Sequence, residues 1–237
     1  MLRIRALTFD LDDTLWDNRP VMLAAEQALY DWLSTNYPRI GQCYTLDELT
    51  GLRRDLGSRD PRLRYHMTAL RKATLRLAAE SVGYDDSLVE PAFTAFLEVR
   101  HRVTPYDDVV PALERLRGAG YLIGSLTNGN ADVHRAGIGH LFDFSVSAES
   151  VGRAKPHPRM FREACRLAGV ESSQLAHVGD EPATDLEGAR VAEVVAIWMN
   201  RPGHSGDHEI PFHAEVRDMN QLLKLLGVEG LASPSGA

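Results

Sequence analysis

Four short stretches hold the residues able to do chemistry. They are Phe9-Asp10-Leu11-Asp12-Asp13-Thr14, Thr127-Asn128-Gly129-Asn130, Lys155-Pro156, and Gly179-Asp180 with Asp185 five positions on. Alternate side chains of a strand share a face, so Asp10 and Asp12 start toward the same side. Two carboxylates ~4 Å apart repel by ~4 kcal/mol at an effective dielectric of about 20, and such a pair needs a cation or a shared proton. The Thr127 stretch offers a hydroxyl and exposed amides, a cradle for an anion. Lys155 adds the positive charge that a phosphate dianion needs. Asp10, Asp180 and Asp185 are hard oxygen ligands, or their support, of the kind that suits Mg²⁺. Taken singly, each stretch has an ordinary explanation, because Asp, Asn, Gly and Pro are turn residues. Their joint occurrence at successive strand ends is what points to a site.

The elements that must position them follow from periodicity. Arg3 to Asp10 reads as a strand, as do Tyr121 to Leu126, Phe144 to Ser147, Leu175 to Val178 and Val194 to Trp198. Helical patterns lie between them at Val109 to Arg117, Pro158 to Ala168 and Pro182 to Val191. Short apolar strands alternating with helices predict an α/β fold, a three-layer Rossmann-like parallel sheet covered on both faces. In such sheets sites gather at the carboxyl ends of the strands. Residues 16–104 break the alternation and read as helical throughout. Asn18 and Pro20 begin a helix bearing Ala25, Ala28, Leu29, Trp32 and Leu33. Thr45 and Glu48 have capping-box spacing. Asp60-Pro61 opens a longer helix with Leu63, Met67, Leu70, Thr74 and Leu77 on one stripe and Gly83 as its stop, and Val89, Ala92, Phe93, Phe96 and Leu97 mark another. The expected organisation is a core of residues 1–15 and 105–237 with an all-helical cap, 16–104, inserted after the first strand.

Composition narrows the function classes. The 237 residues carry 26 basic and 33 acidic side chains, a net charge of −7, which argues against nucleic acid as a partner. The longest apolar run, Val194 to Met199, is far too short to span a membrane, and the N-terminal run is too quickly charged for a secretory signal, so the expected compartment is the cytoplasm. Cys43 and Cys165 form no metal or redox motif. Between Arg53 and Arg76 the balance reverses: Arg53, Arg54, Arg59, Arg62, Arg64, Arg71, Lys72 and Arg76 face only Asp55 and Asp60. The segment reads as a solvated helix face, or else as a local field for a small anion.

The four stretches, in this order and with a helical insertion between the first two, resemble the haloacid-dehalogenase-like superfamily of phosphohydrolases over the whole chain. The resemblance implies that Asp10 is the nucleophile taking the phosphoryl group, and that Asp12 protonates the leaving alcohol and then activates water. It implies that Thr127, the amide of Asn128 and Lys155 hold the phosphoryl oxygens. It further implies Mg²⁺ bound by Asp10, the Asp12 carbonyl and Asp180, with Asp185 in support. Residues Phe9 to Pro20 and Thr127 to Asn130 look most like a group acting on flavin mononucleotide or 5-amino-6-(5-phospho-D-ribitylamino)uracil. The implied substrate is a small phosphate ester, with phosphoglycolate or a sugar phosphate as alternatives. Trp16 either stacks on a heterocycle or fills the core.

Two rival readings come from other classes. A 2-haloacid dehalogenase uses the same aspartate but usually has an aromatic residue where Asp12 stands. A silent module that binds a phosphorylated ligand is at odds with a complete set of motifs. His204, His208 and His213 lie in a loop without the fixed register of a zinc site, and His177 reads as a satisfied core histidine. Neither a P-loop nor GxGxxG occurs.

Overall fold

The structure, a computed structural model, describes residues 4–60, 63, 66–203 and 210–228. The chain divides into two compact units, one of Met1–Asp17 with Thr104–Ala237 and one of Asn18–Val103. Trp16, Asp17 and Thr104, expected in the helical insertion, fall in the first unit.

Among the described residues, the first unit is built on six strands, β1 (Ala6–Phe9), β2 (Leu122–Thr127), β3 (Phe144–Ser147), β4 (Leu175–Gly179), β5 (Val195–Met199) and β6 (Ala214–Val216). They pair in the order β3-β2-β1-β4-β5-β6, parallel throughout. β1 lies between β2 and β4, with Phe9 opposite Ser125 on one side and Val178 on the other. The ends of β1, β2 and β4 therefore deliver Asp10, Thr127 and Asp180 to the carboxyl end of the sheet. Every residue of β1, β4 and β5 is buried, the signature of a sheet covered on both faces.

The helices of both units, in chain order, are α1 (Asn18–Asn36), α2 (Pro38–Cys43), α3 (Leu46–Arg59), α4 (Met67–Ser81), α5 (Val89–Arg100), α6 (Val109–Gly118), α7 (Ala148–Val151), α8 (Pro158–Ala168), α9 (Glu187–Val191) and α10 (Met219–Leu225). α8 starts on Pro158, is capped by the His157 side chain and stops at Gly169, which is left-handed. Its Met160, Phe161, Ala164 and Cys165 pack with Ala6, Leu126, Leu175 and Trp198 on one face of the sheet. Each such fully buried large side chain contributes roughly 1.5–3 kcal/mol. β6 and α10 complete the unit beyond the elements expected from periodicity. β6 is only three residues long, too short for an alternation to register.

The second unit holds α1 to α5 around Ala25, Leu29, Leu33, Ile40, Leu75, Ala78, Phe93 and Phe96. Thr45 and Glu48 form the expected reciprocal capping box. Asp60, expected to open a helix, instead follows the end of α3, where its N–H donates to the Leu56 carbonyl. The next helix begins at Met67, and residues 61, 62, 64 and 65 of the expected opening lie outside those described. The buried stripe of α4 is Leu70, Arg71, Thr74, Leu75, Ala78 and Ala79, whereas Met67 and Leu77 are exposed.

The basic segment is not a uniformly solvated face. Arg71 is buried, with both terminal nitrogens 2.8 Å from Glu26 and its guanidinium 3.6 Å over the Phe96 ring. Arg53 also pairs with Glu26, Lys72 with Glu90 and Arg76 with Asp86. These charges are met by acidic partners within the helical unit, which weakens the reading of a field for a small anion. Arg62 and Arg64 lie outside the described residues.

Candidate active site

All the residues singled out for chemistry lie in the α/β unit. Asp10 continues the edge of β1, its N–H bonded to the Val178 carbonyl at 2.9 Å. The chain then turns back on itself. Leu15 N–H donates to the Leu11 carbonyl, Asp13 N–H donates to the Trp16 carbonyl, and Asp13 adopts φ +63°. Aspartate is among the few residues that tolerate that left-handed region.

Lys155 is buried, with its ammonium nitrogen 2.5 Å from Asp10 Oδ1 and 2.6 Å from Asp185 Oδ1. Asn128 sets that position through two reciprocal bonds: its Nδ2 donates to the Lys155 carbonyl at 3.0 Å, and its Oδ1 accepts from the Lys155 N–H at 2.7 Å. The side chain of Asn128 is thus spent on holding Lys155. Thr127, at the end of β2, accepts the Gly129 N–H at 3.0 Å.

Asp180 accepts the Thr14 hydroxyl at 2.8 Å, which ties the end of β4 to the loop after β1. Asp185 sits in a π-helical turn, Pro182–Leu186, and is buried. It takes bonds from Lys155, from His177 Nε2 at 3.1 Å and from the Glu181 N–H at 3.1 Å. A Cβ on Gly179 would stand 2.3 Å from Cγ of Asp185, so this strand end has no room for a side chain.

One ammonium faces two carboxylates, Asp185 buried and Asp10 partly exposed, and the pair does not share it equally. Burial opposes the charge on Asp185, yet Lys155 and the His177 bond outweigh it and hold Asp185 well below the usual carboxylate range. Burial pushes Asp10 well above its usual value, opposed by Lys155 and reinforced by Asp185 and Asp180. Lys155 itself is raised, because the two carboxylates overcome its own desolvation. Asp180 is pushed up to about 7 by burial and by Asp185. One oxygen from each of Asp10, Asp180 and Asp185 lies within 4.8 Å of the others. Three carboxylates against one ammonium make a surplus of negative charge that a hard divalent cation fits.

The Asp12 carboxyl is outside that cluster. Its Oδ1 accepts the indole N–H of Trp16 at 2.9 Å, and its Oδ2 lies 3.3 Å from where a Cβ on Gly129 would stand. The carboxyl is therefore aimed at the Thr127–Gly129 loop. Trp16 is completely buried, which removes the alternative in which its ring stacks on a heterocycle.

Sequence reasoning missed two supports. His177 is satisfied in the core, as expected, but its second bond goes to Asp185, so it belongs to the site's framework. Arg201 donates from Nε to the Thr14 carbonyl at 2.8 Å, pairs with Asp108 and lies 4.1 Å over the Tyr106 ring, bracing the loop after β1. An arginine just after an apolar strand was the one available signal. His213 accepts the Ala196 N–H through Nδ1 and serves the sheet edge, while His204 and His208 lie outside the described residues.

Comparison with known proteins adds to this geometry. A profile of haloacid dehalogenase-like hydrolases matches residues 4–193. The chain is 30% identical to the 5-amino-6-(5-phospho-D-ribitylamino)uracil phosphatase YigB of Escherichia coli, covering 94% of this chain and 97% of that one. It is 31% identical to a glyceraldehyde 3-phosphate phosphatase of Methanopyrus kandleri, over 84% of each. A crystal structure described as 2-haloacid dehalogenase from Pseudomonas syringae superposes with a TM-score of 0.89 at 40% identity, covering 94% of this chain and 98% of that one.

Proposed function

The chain belongs to the haloacid dehalogenase-like hydrolase family, and on that premise we propose that it is a phosphomonoester hydrolase working through a phosphoaspartate at Asp10. One observation carries this reading, the separate surroundings of two carboxyl groups two residues apart. Asp10 is tied to an ammonium beside two further carboxylates, Asp180 and Asp185, whereas Asp12 turns one oxygen to an indole and the other toward the Thr127–Gly129 loop. A nucleophile and a proton donor need such a division.

In the first half-reaction a carboxylate oxygen of Asp10 attacks phosphorus, the bond from phosphorus to the ester oxygen breaks, and Asp12 gives its proton to the departing alkoxide. In the second, Asp12 takes a proton from water as the water oxygen attacks phosphorus. The bond to Asp10 breaks, leaving inorganic phosphate and a free carboxylate. Thr127, the main-chain amide of Asn128 and Lys155 hold the phosphoryl oxygens whose charge is rearranged in the transition state. Mg²⁺ would be held by Asp10, Asp180 and the Asp12 carbonyl, with Asp185 behind them, and would supply the charge that lets a phosphate dianion approach these carboxylates.

The substrate in this reading is a small phosphorylated metabolite of the cytoplasm. The likeness to the Escherichia coli phosphatase supports flavin mononucleotide or 5-amino-6-(5-phospho-D-ribitylamino)uracil, with glyceraldehyde 3-phosphate, phosphoglycolate and sugar phosphates as alternatives. The likeness to a structure described as 2-haloacid dehalogenase favours a second reading. A halide, however, departs as a stable anion without a proton, which leaves the Asp12 carboxyl with no task.

Release of phosphate from this panel at saturating Mg²⁺, with halide release from 2-chloropropionate measured alongside, tests the proposal. Phosphate release without halide release is expected, and halide release alone overturns the reading. Among the phosphates, a flavin-type substrate should lead in kcat/KM. If phosphoglycolate or a hexose phosphate leads by tenfold, about 1.4 kcal/mol of transition-state binding, the flavin assignment falls and the phosphatase reading stands.

A further inference from the structure

The bond between Trp16 and Asp12 has a chemical consequence. An indole N–H is a donor only, so the oxygen it meets, Asp12 Oδ1, acts as an acceptor. The carbonyl oxygen of a carboxylic acid is a better acceptor than its hydroxyl oxygen, so the indole favours the protonated form that carries its proton on Oδ2, the oxygen toward Gly129. The Thr127 hydroxyl lies 3.5 Å from the same Gly129 Cβ position, so Oδ2 is turned to the loop proposed to hold the phosphoryl group. The indole has little freedom to move. Its ring is completely buried, and its main chain bridges Asp12 on one side and Pro105 on the other, while its carbonyl accepts the Asp13 N–H at 2.8 Å. A donor locked in this way fixes both the rotation of the carboxyl and the oxygen that carries the proton.

We propose that Trp16 is a positioning residue for proton transfer by Asp12, selecting Oδ2 as the oxygen that protonates the leaving alcohol. The inference rests on the phosphatase reading above. Protonation matters most where the leaving alkoxide is a strong base, as in alkyl phosphates. It matters least for a nitrophenolate, which departs unaided. Loss of the indole N–H therefore makes the rate more sensitive to the leaving group, which a role in packing alone does not.

The test is Trp16→Phe, together with replacement of Trp16 by β-(3-benzothienyl)alanine, which keeps the bicyclic shape and lacks the N–H. kcat/KM at saturating Mg²⁺ is measured for alkyl phosphates and a series of aryl phosphates up to p-nitrophenyl phosphate. The expected result is a fall of roughly ten- to a hundred-fold for alkyl phosphates, part of what acid catalysis supplies, and less than about three-fold for p-nitrophenyl phosphate. Adding either replacement to Asp12→Ala should cause no further loss, because the two residues act as one unit. Equal losses for both substrate classes in the isosteric variant, or no loss at all, overturn the proposal while leaving the phosphatase reading intact. Absence of phosphate release by the wild type from every ester overturns both.

Discussion

His177 and Asp185, on consecutive elements of the α/β unit, are joined by a bond of 3.1 Å from Nε2 to Oδ1 in the protein interior. Burial holds the imidazole below its ordinary pKa, so it is neutral and has one N–H to give. That N–H goes to the carboxylate, and Nδ1 accepts the Thr8 hydroxyl at 3.0 Å. A line of partners thus runs from Thr8 in β1 through His177 and Asp185 to the Lys155 ammonium and back to Asp10. The strand that carries the proposed nucleophile also anchors the residues that orient its counter-charge.

His177→Phe should destabilise the protein, because a buried carboxylate loses a donor and Thr8 an acceptor. The expected cost is about 1.5–3 kcal/mol, with a smaller loss for His177→Gln, which can still donate. Urea unfolding of the three proteins measures it. Equal stability of wild type and His177→Phe would remove the histidine from the framework.

Asp10→Asn should abolish turnover with the fold retained, since an amide of nearly the same shape is a poor nucleophile. Asp12→Ala should lower turnover by roughly 10²–10⁴, the usual worth of acid–base catalysis. Phosphate release and circular dichroism check both, and near-normal turnover in Asp10→Asn excludes the phosphoaspartate.

Exhaustive chelation should eliminate activity, and Mg²⁺ or Mn²⁺ should restore it. A cation that binds only the folded protein at a hundred times its Kd adds about 2.7 kcal/mol of stability, so the melting temperature should rise with added metal. Full activity in the chelated protein would count against a metal held by Asp10 and Asp180.

Gly179→Ala should damage both stability and turnover. The new Cβ would fall 2.3 Å from Cγ of Asp185, and the buried turn must shift to make room. Overpacking of this kind costs roughly 1–3 kcal/mol. Thermal unfolding and kcat should fall together, and a variant with unchanged kcat would show that Asp185 tolerates displacement.

Glu26 gives the helical unit a pH dependence of its own. Burial pushes this carboxyl up, but Arg71 and Arg53 outweigh it and hold it below its ordinary value. A carboxyl depressed in the folded state contributes stability that is fully present above its unfolded pKa, about 4.3, and is lost as pH falls through the folded value. Glu26→Gln should cost roughly 3–5 kcal/mol at pH 7, the penalty for leaving a buried guanidinium without its partner. The gap between wild type and variant should narrow as pH drops below about 4.3. A gap that stays constant from pH 7 to pH 3 would show that packing, not charge, is responsible.

Local pattern determined a large part of this protein. Proline at the start and glycine after the end delimit α8, and β3 covers the alternating Phe144-Ser145-Val146-Ser147, because both signals lie within a few positions of the element they define. Alternating strands and helices imply a parallel sheet, and a parallel sheet brings Asp10, Thr127 and Asp180 to its carboxyl end whatever surrounds them. Partners far apart in the chain were decided by tertiary structure alone. Thr14 meets Asp180, Lys155 meets Asp10 and Arg71 meets Glu26 across stretches over which no periodicity extends. The same holds for Trp16, whose place in the core depends on the chain returning at Pro105. The sequence names the residues of the proposed site, but that Asp12 turns Oδ1 to a buried indole and Oδ2 toward the Thr127 loop is a matter of tertiary packing.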